Sequence, residues 1–359
     1  LVNGQGIGRY VRELTRALVG RPDVDPALFA PTWATPEFSV EESGVAGARL
    51  FRHRIPSKAV TRVLGALGQG TERLFRGSAE LCHHTQYRWL PTRLPSVAMV
   101  HDLVFLDSER YMGAPAAARM SEFARRAARE ARVLITPSEA VADEVSERLG
   151  VPRERVMATP LGVDHVLRLA ADVSGSTEVA CDSRYLFTAA RIETRKNLGV
   201  ILRAFEQLDV PDVRWKIAGV RGAGAEDFEE ALRRSPARDS IDVLGHVSEA
   251  RLRELTVGAL AFVLVPLDEG FGLAPLEAMA LGTPAVTSRV PVVQEICGGG
   301  AILVDPLDDV TLAEELRSLV TDMSRREGMA SVGARHAKSF TWERTAERTV
   351  EAYRRALLQ

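Results

Sequence analysis

The sequence predicts an α/β protein of two successive halves, each alternating buried strands with amphipathic helices, and three observations carry that prediction. Short apolar runs such as Ser96–Val100 and Ala259–Val265 read as strands buried on both faces, the pattern of a parallel sheet. Stripes at helical spacing lie between such runs: Ile7, Val11, Leu14 and Leu18 form one, and Leu198, Ile201, Leu202, Phe205 and Leu208 another. A chain of 359 residues, 46% of them hydrophobic, has the length of about two domains and enough apolar side chain for two cores.

The first half opens with a helix over Gly8–Val19. Strands are expected at Ala48–Arg52, Glu80–His84, Ser96–His101, Arg132–Thr136 and Arg155–Thr159, with helices over Lys58–Arg76, Pro115–Glu130 and Glu139–Leu149. Ser138 suits the N-cap of the last of these, where a hydroxyl accepts from an otherwise orphaned N–H. Val163–Asp182 is polar and weakly patterned around Val173-Ser-Gly-Ser-Thr177 and reads as an interdomain linker. Strands then recur near Tyr185–Ala190, Arg214–Gly219, Ile241–Leu244, Leu260–Val265, Ala285–Ser288 and Ala301–Val304, and a helix over Trp342–Leu358 ends the chain.

Composition excludes several classes. A net charge of −2 gives no general case for binding nucleic acid. Cys82, Cys181 and Cys297 are widely spaced with no Cys-x-x-Cys, which is neither a zinc pattern nor a disulfide framework and points to a reducing, cytoplasmic setting. No apolar run approaches the roughly 18–20 residues of a membrane span, and no signal peptide is visible.

The most informative stretch is Asp268-Glu-Gly-Phe-Gly-Leu-Ala-Pro-Leu-Glu-Ala-Met-Ala-Leu-Gly282. It follows the strand Ala259–Val265. Gly270 and Gly272 allow a tight loop and close backbone approach to a ligand. Pro275 suits the first position of a helix, which would put Glu277 in its first turn. Helix N-termini favour anions, and the carboxylates of Glu269 and Glu277 can accept hydrogen bonds from hydroxyls. A ligand with phosphates and many hydroxyls, such as a nucleotide sugar, fits. A second segment agrees: the strand Tyr185–Ala190 runs into Arg191-Ile-Glu-Thr-Arg-Lys-Asn197, which sets cations at a strand's carboxyl end, where open α/β sheets bind ligands. Arg191 and Lys196 suit the neutralisation of a diphosphate without a metal. Taken singly, these residues equally suit solvated surface cations, and Glu277 a first-turn carboxylate.

Together, Arg191…Lys196-Asn197 and Glu269-Gly-Phe-Gly-Leu…Glu277 resemble the signature of retaining glycosyltransferases of family 4. Gly6-Ile-Gly-Arg-Tyr-Val-Arg-Glu-Leu14, His101-Asp-Leu103, Pro137-Ser138, Leu161-Gly-Val-Asp164, Leu244-Gly-His-Val-Ser248 and Val304-Asp-Pro306 occur in the matching order along nearly the whole chain. The resemblance implies the GT-B fold, two Rossmann-like domains facing each other across a cleft. It implies an acceptor-side domain over 1–165, with a first strand expected upstream of Leu1, and a nucleotide-sugar-binding domain over 166–341. A terminal helix over 342–359 is then expected to return to the first domain. It assigns Glu277 to the ribose hydroxyls, Arg191 and Lys196 to the diphosphate, and Glu269 with the N–H groups of Phe271, Gly272 and Leu273 to the sugar and phosphates beside Gly270. Gly245 and Val247 would border the base, Gly6 and Gly8 would approach the phosphate, and His101 would lie by the donor sugar. No cofactor or metal is implied. His83 and His84 receive no role.

The implied reaction is metal-independent transfer of a hexose with retention, by front-side attack, from a nucleotide-diphosphate sugar to a saccharide or lipid-linked acceptor. Cell-surface polysaccharide or glycolipid synthesis is the expected setting. The opening segment and His101-Asp-Leu103 look most like bacterial mannosyltransferases, which makes GDP-mannose the first donor to test, ahead of UDP-glucose. A nucleotide-sugar epimerase and a non-catalytic nucleotide-sugar-binding protein of the same fold are the alternatives. Phe51–Arg76 carries Arg52, Arg54, Lys58, Arg62, Arg73 and Arg76 against Glu72, with Val60, Val63, Leu64, Leu67, Thr71 and Leu74 along one helical face. That pattern fits a packed helix with a solvated basic face, and the alternative it allows is peripheral contact with an anionic membrane at the inner face of the plasma membrane.

Overall fold

The computed structural model describes residues 6–31, 45, 47–53, 57–74, 79–107, 111–171 and 184–358. The chain divides into two compact units. One comprises Leu1–Leu103, Ala118–Gly162 and Trp342–Gln359, the other Val104–Ala117 and Val163–Thr341. The boundary expected at 165/166 thus falls at Gly162/Val163, and Val104–Ala117, expected in the first domain, groups with the second.

The first unit holds β1 (Ala27–Pro31), β2 (Arg49–His53), β3 (Cys82–His84), β4 (Ser96–Met99), β5 (Val133–Thr136) and β6 (Val156–Ala158). β1 and β2 pair in parallel, and β3-β4-β5-β6 form a four-stranded sheet whose neighbours are all parallel. β4 and β5 are buried at every position, as their unbroken apolar runs require. Ser138 caps the helix Glu139–Leu149, its hydroxyl accepting from the Val141 N–H at 3.1 Å. The terminal helix Trp342–Leu358 is stitched into this unit. Thr345 donates to the Pro160 carbonyl at 2.7 Å, Arg132 to that of Ala356 at 2.8 Å, and the Tyr353 hydroxyl meets His83 Nδ1 at 2.8 Å.

Two expectations for the chain before β7 are corrected. The single helix expected over Lys58–Arg76 is a helix over Ser57–Ala66 followed by a short 3-10 turn at Thr71–Leu74. The glycines at 65, 68 and 70 weaken the helix between them, and Gly68 takes φ 58. Thr71 is thereby turned inward to donate to the Pro91 carbonyl at 3.0 Å. Arg54 and Arg76 lie outside the described residues, as do the side chains of Arg52 and Lys58. The stretch expected as a linker opens instead with a helix, His165–Ala171, begun by Val166 N–H to Val163 and Leu167 N–H to Asp164. Arg168 then pairs with Asp164 one turn back at 2.9 Å. Residues 172–183 lie outside the described ones, Cys181 among them.

The second unit is built on β7 (Arg184–Ala189), β8 (Val213–Ala218), β9 (Ile241–Gly245), β10 (Ala261–Leu264), β11 (Ala285–Ser288) and β12 (Ile302–Val304), in the order β12-β11-β10-β7-β8-β9 with every pair parallel. Counted from β7, this is the doubly wound 3-2-1-4-5-6 order, and its strand direction of travel reverses between β7 and β10. A polar relay crosses the centre of the sheet: fully buried Trp215 donates to Thr188 Oγ1 at 2.9 Å, and that hydroxyl donates to the Val263 carbonyl at 2.6 Å. Gly219 has no substitute, because a Cβ there would stand 1.7 Å from the Ala190 carbonyl oxygen.

Three histidines of the first unit are held neutral. Burial pushes His101 and His84 down to about 4 and His83 to about 3, the last also repelled by His84 and His101. Unfolded histidine titrates near 6.5, so between these values the unfolded chain binds more protons than the folded one. Their contribution is complete above pH 6.5 and is lost as pH falls toward 4. Urea unfolding between pH 6.5 and 5, above the ordinary carboxylate range, should show stability falling with pH. His84→Gln should flatten that slope, and an unchanged midpoint across the window would contradict the assignment.

Candidate functional site

The two segments singled out by sequence follow β7 and β10, the adjacent strands at the reversal point of the second unit's sheet. That is where doubly wound sheets bind ligands. Backbone joins the segments, with Leu267 N–H donating to the Arg195 carbonyl at 2.9 Å. Asn197 adopts φ 57, ψ 38, a left-handed conformation that Asn tolerates better than most residues. Its amide donates to the carbonyls of Val265 at 3.0 Å and Pro306 at 2.7 Å, tying together the loops that leave β7, β10 and β12.

Lys196 and Glu269 meet across these loops, Nζ to Oε2 at 2.5 Å, with side chains only 13% and 16% exposed. Lys196 is therefore not a solvated surface cation. Burial pushes the Glu269 carboxyl upward, but Lys196, Arg195 and the Gly270 N–H outweigh it and hold the group below its ordinary value. Arg191 is 57% exposed and reaches Glu193 at 3.5 Å. Sequence reasoning did not single out Arg195. It is the better buried of the two arginines, donating to the Asp268 carbonyl and to Glu193, each at 3.3 Å. Three cations in seven residues were visible in the sequence; which of them turns inward depends on the fold.

Gly272 stands at φ 88 before the helix Leu273–Ala280, a conformation costly for any residue with a Cβ. The helix starts two residues earlier than expected. Pro275 is its third residue rather than its first, which costs nothing because the first four N–H groups have no partner within the helix. Glu277 accordingly lies in the second turn, not the first, so a simple first-turn carboxylate does not account for it. Its carboxylate is met instead by His165, Nε2 to Oε1 at 3.0 Å, a residue 112 positions away that the sequence did not flag. Phe271 is buried against Phe340 with ring centroids 6.2 Å apart, so its side chain anchors the loop and only its backbone is left to meet a ligand. Gly245 closes β9 at φ 67, and its carbonyl accepts from Gly219 N–H at 2.8 Å. Val247 packs on the apolar cluster around Tyr185, Phe187 and Leu255.

Within the first unit, Gly6 (φ 55) precedes the helix Ile7–Val19 and Gly8 is buried in its first turn. His101 Nε2 lies 3.0 Å from the Thr85 carbonyl. A carbonyl only accepts, so Nε2 carries the proton and Nδ1 the lone pair. Tyr10 and Tyr87 pack edge-on against the ring at 5.2 and 5.9 Å. His83 and His84 have structural partners. His83 lies between the Tyr10 and Tyr353 hydroxyls, and His84 stacks on Trp89 at 4.0 Å. The chain holds one Asp-x-Asp triplet, Asp23-Val-Asp25. Its carboxylates face arginines: Asp23 pairs with Arg21 and Arg354, and Asp25 with Arg49 at 2.7 Å. Among the described residues, no group of three or more His, Cys, Asp or Glu side chains is placed to hold a metal ion.

A family model described as Glycosyltransferase Family 4 matches residues 4–167, and one described as Glycosyl transferases group 1 matches residues 174–336. O-antigen chain mannosyltransferase B of Escherichia coli is 27% identical to the chain over 289 residues, which is 78% of this chain and 75% of that protein. D-inositol 3-phosphate glycosyltransferase of Paenarthrobacter aurescens (strain TC1) is 27% identical, covering 98% of this chain and 93% of that protein. Among solved structures, Anabaena HepE in complex with UDP-glucose aligns at a TM-score of 0.73 with 16% identity, covering 98% of this chain and 97% of that one. Sucrose-phosphate synthase from Thermosynechococcus elongatus aligns at 0.72 with 19% identity, covering 98% and 93%. With its two halves matched in turn by these models and the GT-B fold shared with these structures, the chain belongs to the family 4 glycosyltransferases.

Proposed function

We propose that this glycosyltransferase transfers a hexose, with retention and without a metal, from a nucleotide-diphosphate sugar to a saccharide or lipid-linked acceptor. GDP-mannose is the first donor to test, since O-antigen chain mannosyltransferase B is among the relatives. The observation that carries the reading is the desolvated Lys196–Glu269 pair at the sheet's reversal point, beside the Gly272 helix start and Glu277.

The chemistry follows from charge. As the bond between the sugar C1 and the diphosphate oxygen breaks, negative charge grows on the leaving group. Lys196, with Arg191 and the helix start at Leu273, would stabilise it, and Arg195 would hold the loop that presents Glu269. The acceptor hydroxyl would form its bond to C1 on the face the diphosphate leaves, and its proton would pass to a phosphate oxygen. Glu277 would accept from the ribose hydroxyls. Neutral His101 would offer a lone pair, not a cation, to a donor-sugar hydroxyl. Incubating the protein with GDP-mannose, UDP-glucose and other nucleotide sugars, and following release of free nucleoside diphosphate with and without acceptor, tests the reading. No turnover and no nucleotide binding with any of them would overturn it.

The peripheral membrane contact is part of the same proposal. Val63 and Leu67 are 56% and 65% exposed, which is unlike a stripe packed on a core, and Arg62 and Arg73 are exposed near them. Among the described residues no helix is long and apolar enough to cross a membrane.

Four outcomes are expected. Lys196→Ala should lower turnover by about 10²–10³-fold, the scale for losing one preorganised charge. It should also lower Tm, because Glu269 keeps only Arg195 as a cationic partner. Arg191→Ala should act in the same direction, with a double variant that is less than additive; near-normal turnover in folded Lys196→Ala would remove the clamp. Glu277→Gln should weaken nucleoside diphosphate binding by about 10–150-fold, the value of a charged hydrogen bond. Glu269→Gln should leave that binding intact or tighter, since it releases Lys196. Calorimetric titration separates the two, and an equal loss in both would refute the division. Activity should persist in excess chelator, because Lys196 and Arg191 supply the charge a divalent ion would bring; loss reversed by a metal would contradict it. Vesicle sedimentation should favour anionic over neutral lipid and weaken with salt, and Arg62, Arg73 and Arg76 changed together to Ser should abolish most of it. Equal binding to both lipids would leave a soluble acceptor.

A further inference from the structure

We propose that His165 is the positioning residue for Glu277, fixing the carboxylate that reads the ribose of the donor; this rests on the nucleotide-sugar reading of the site. His165 is 4% exposed and its Nε2 lies 3.0 Å from Glu277 Oε1. An ionised carboxylate only accepts hydrogen bonds, so Nε2 carries the proton and donates. The histidine is itself held from both sides in sequence. Val163 N–H donates to the Phe340 carbonyl at 3.0 Å, and the helix His165–Ala171 begins at the ring's own residue and packs against the helix Leu273–Ala280. Glu277 has a side chain 13% exposed, on the second turn of that helix, where its own backbone offers no orphan N–H to orient it. The imidazole supplies what the helix start cannot: a donor that selects one carboxylate rotamer before ligand arrives. Preorganising an acceptor for a vicinal diol raises affinity for the ribose and leaves the diphosphate contacts untouched.

The test is calorimetric titration of wild type, His165→Phe, His165→Gln, Glu277→Gln and the His165→Phe/Glu277→Gln double variant with GDP, UDP, 2′,3′-dideoxy-GDP and inorganic pyrophosphate. His165→Phe should weaken GDP or UDP binding about tenfold, the value of one modest hydrogen bond to a charged group. Pyrophosphate binding should not change. The preference for GDP over its dideoxy form should shrink by the same factor, the double variant should bind no worse than Glu277→Gln alone, and His165→Gln, which keeps a donor, should recover most of the loss. Histidine nitrogen NMR of the wild type, needed where His165→Phe does not fold, should show an Nε2–H tautomer whose signal moves with GDP and not with pyrophosphate. GDP affinity within twofold of wild type in folded His165→Phe, an equal loss with pyrophosphate, or an Nδ1–H tautomer would overturn the inference alone. A wild type that binds neither GDP nor UDP would overturn the underlying reading as well.

Discussion

A single side-chain amide ties together the loops that leave β7, β10 and β12 in the second unit. The carbonyls of Val265 and Pro306 leave the ends of β10 and β12 where no further strand pairing is available to them, and Asn197 gives one donor to each. A buried carbonyl left without a partner costs about as much as a lost hydrogen bond, and the amide removes that cost at fully buried Val265. The left-handed backbone at Asn197 also ends the 3-10 turn Thr194–Lys196 and starts the helix Leu198–Glu206. Lys196 is the residue before it. The meeting of Lys196 with Glu269 is therefore set by how Asn197 locks the chain, more than by attraction between two flexible side chains.

That attraction has its own logic. Taking an ammonium and a carboxylate out of water is unfavourable unless each neutralises the other, and the pair is about one-sixth exposed or less. Arg195 adds a second positive field at Glu269. The result is a pair of loops with no isolated buried charge: Lys196 and Arg195 both act on Glu269, and Glu193 pairs with Arg191 and Arg195. Two cations thus share Glu269, so the carboxylate does not depend on Lys196 alone in a desolvated place.

Much of this architecture was legible in the residues. Buried parallel strands announce themselves as unbroken apolar runs, and β4, β5, β10 and β11 fall within a residue or two of expectation. What escaped has identifiable causes. β1 begins just after Pro26 and ends on Pro31, so its five residues carry turn signals at both edges. The helix ending at Ala66 was overextended because the apolar spacing of Leu67, Thr71 and Leu74 continues past glycines that break it. Pro275 pointed to a helix start but allowed any of four positions, and the sequence cannot choose among them. His165 carried no local pattern, because its partner is 112 residues distant and only the fold brings them together. Arg195 and Arg191 differ in burial, which spacing does not report.

The terminal helix has a consequence for how the chain comes into being. Trp342–Leu358 packs beside the helix Ile7–Val19, with Tyr10 facing Trp342 and His83 bonded to Tyr353. Synthesis proceeds from the amino end, and domains tend to fold as units as they emerge. The second unit has all its strands and helices once Thr341 is made, whereas the first still lacks a wall of its core. The apolar face around Tyr10 and Leu14 then lacks that helix through the making of the 179 residues between Gly162 and Trp342. The half that is translated first is thus the half that is completed last.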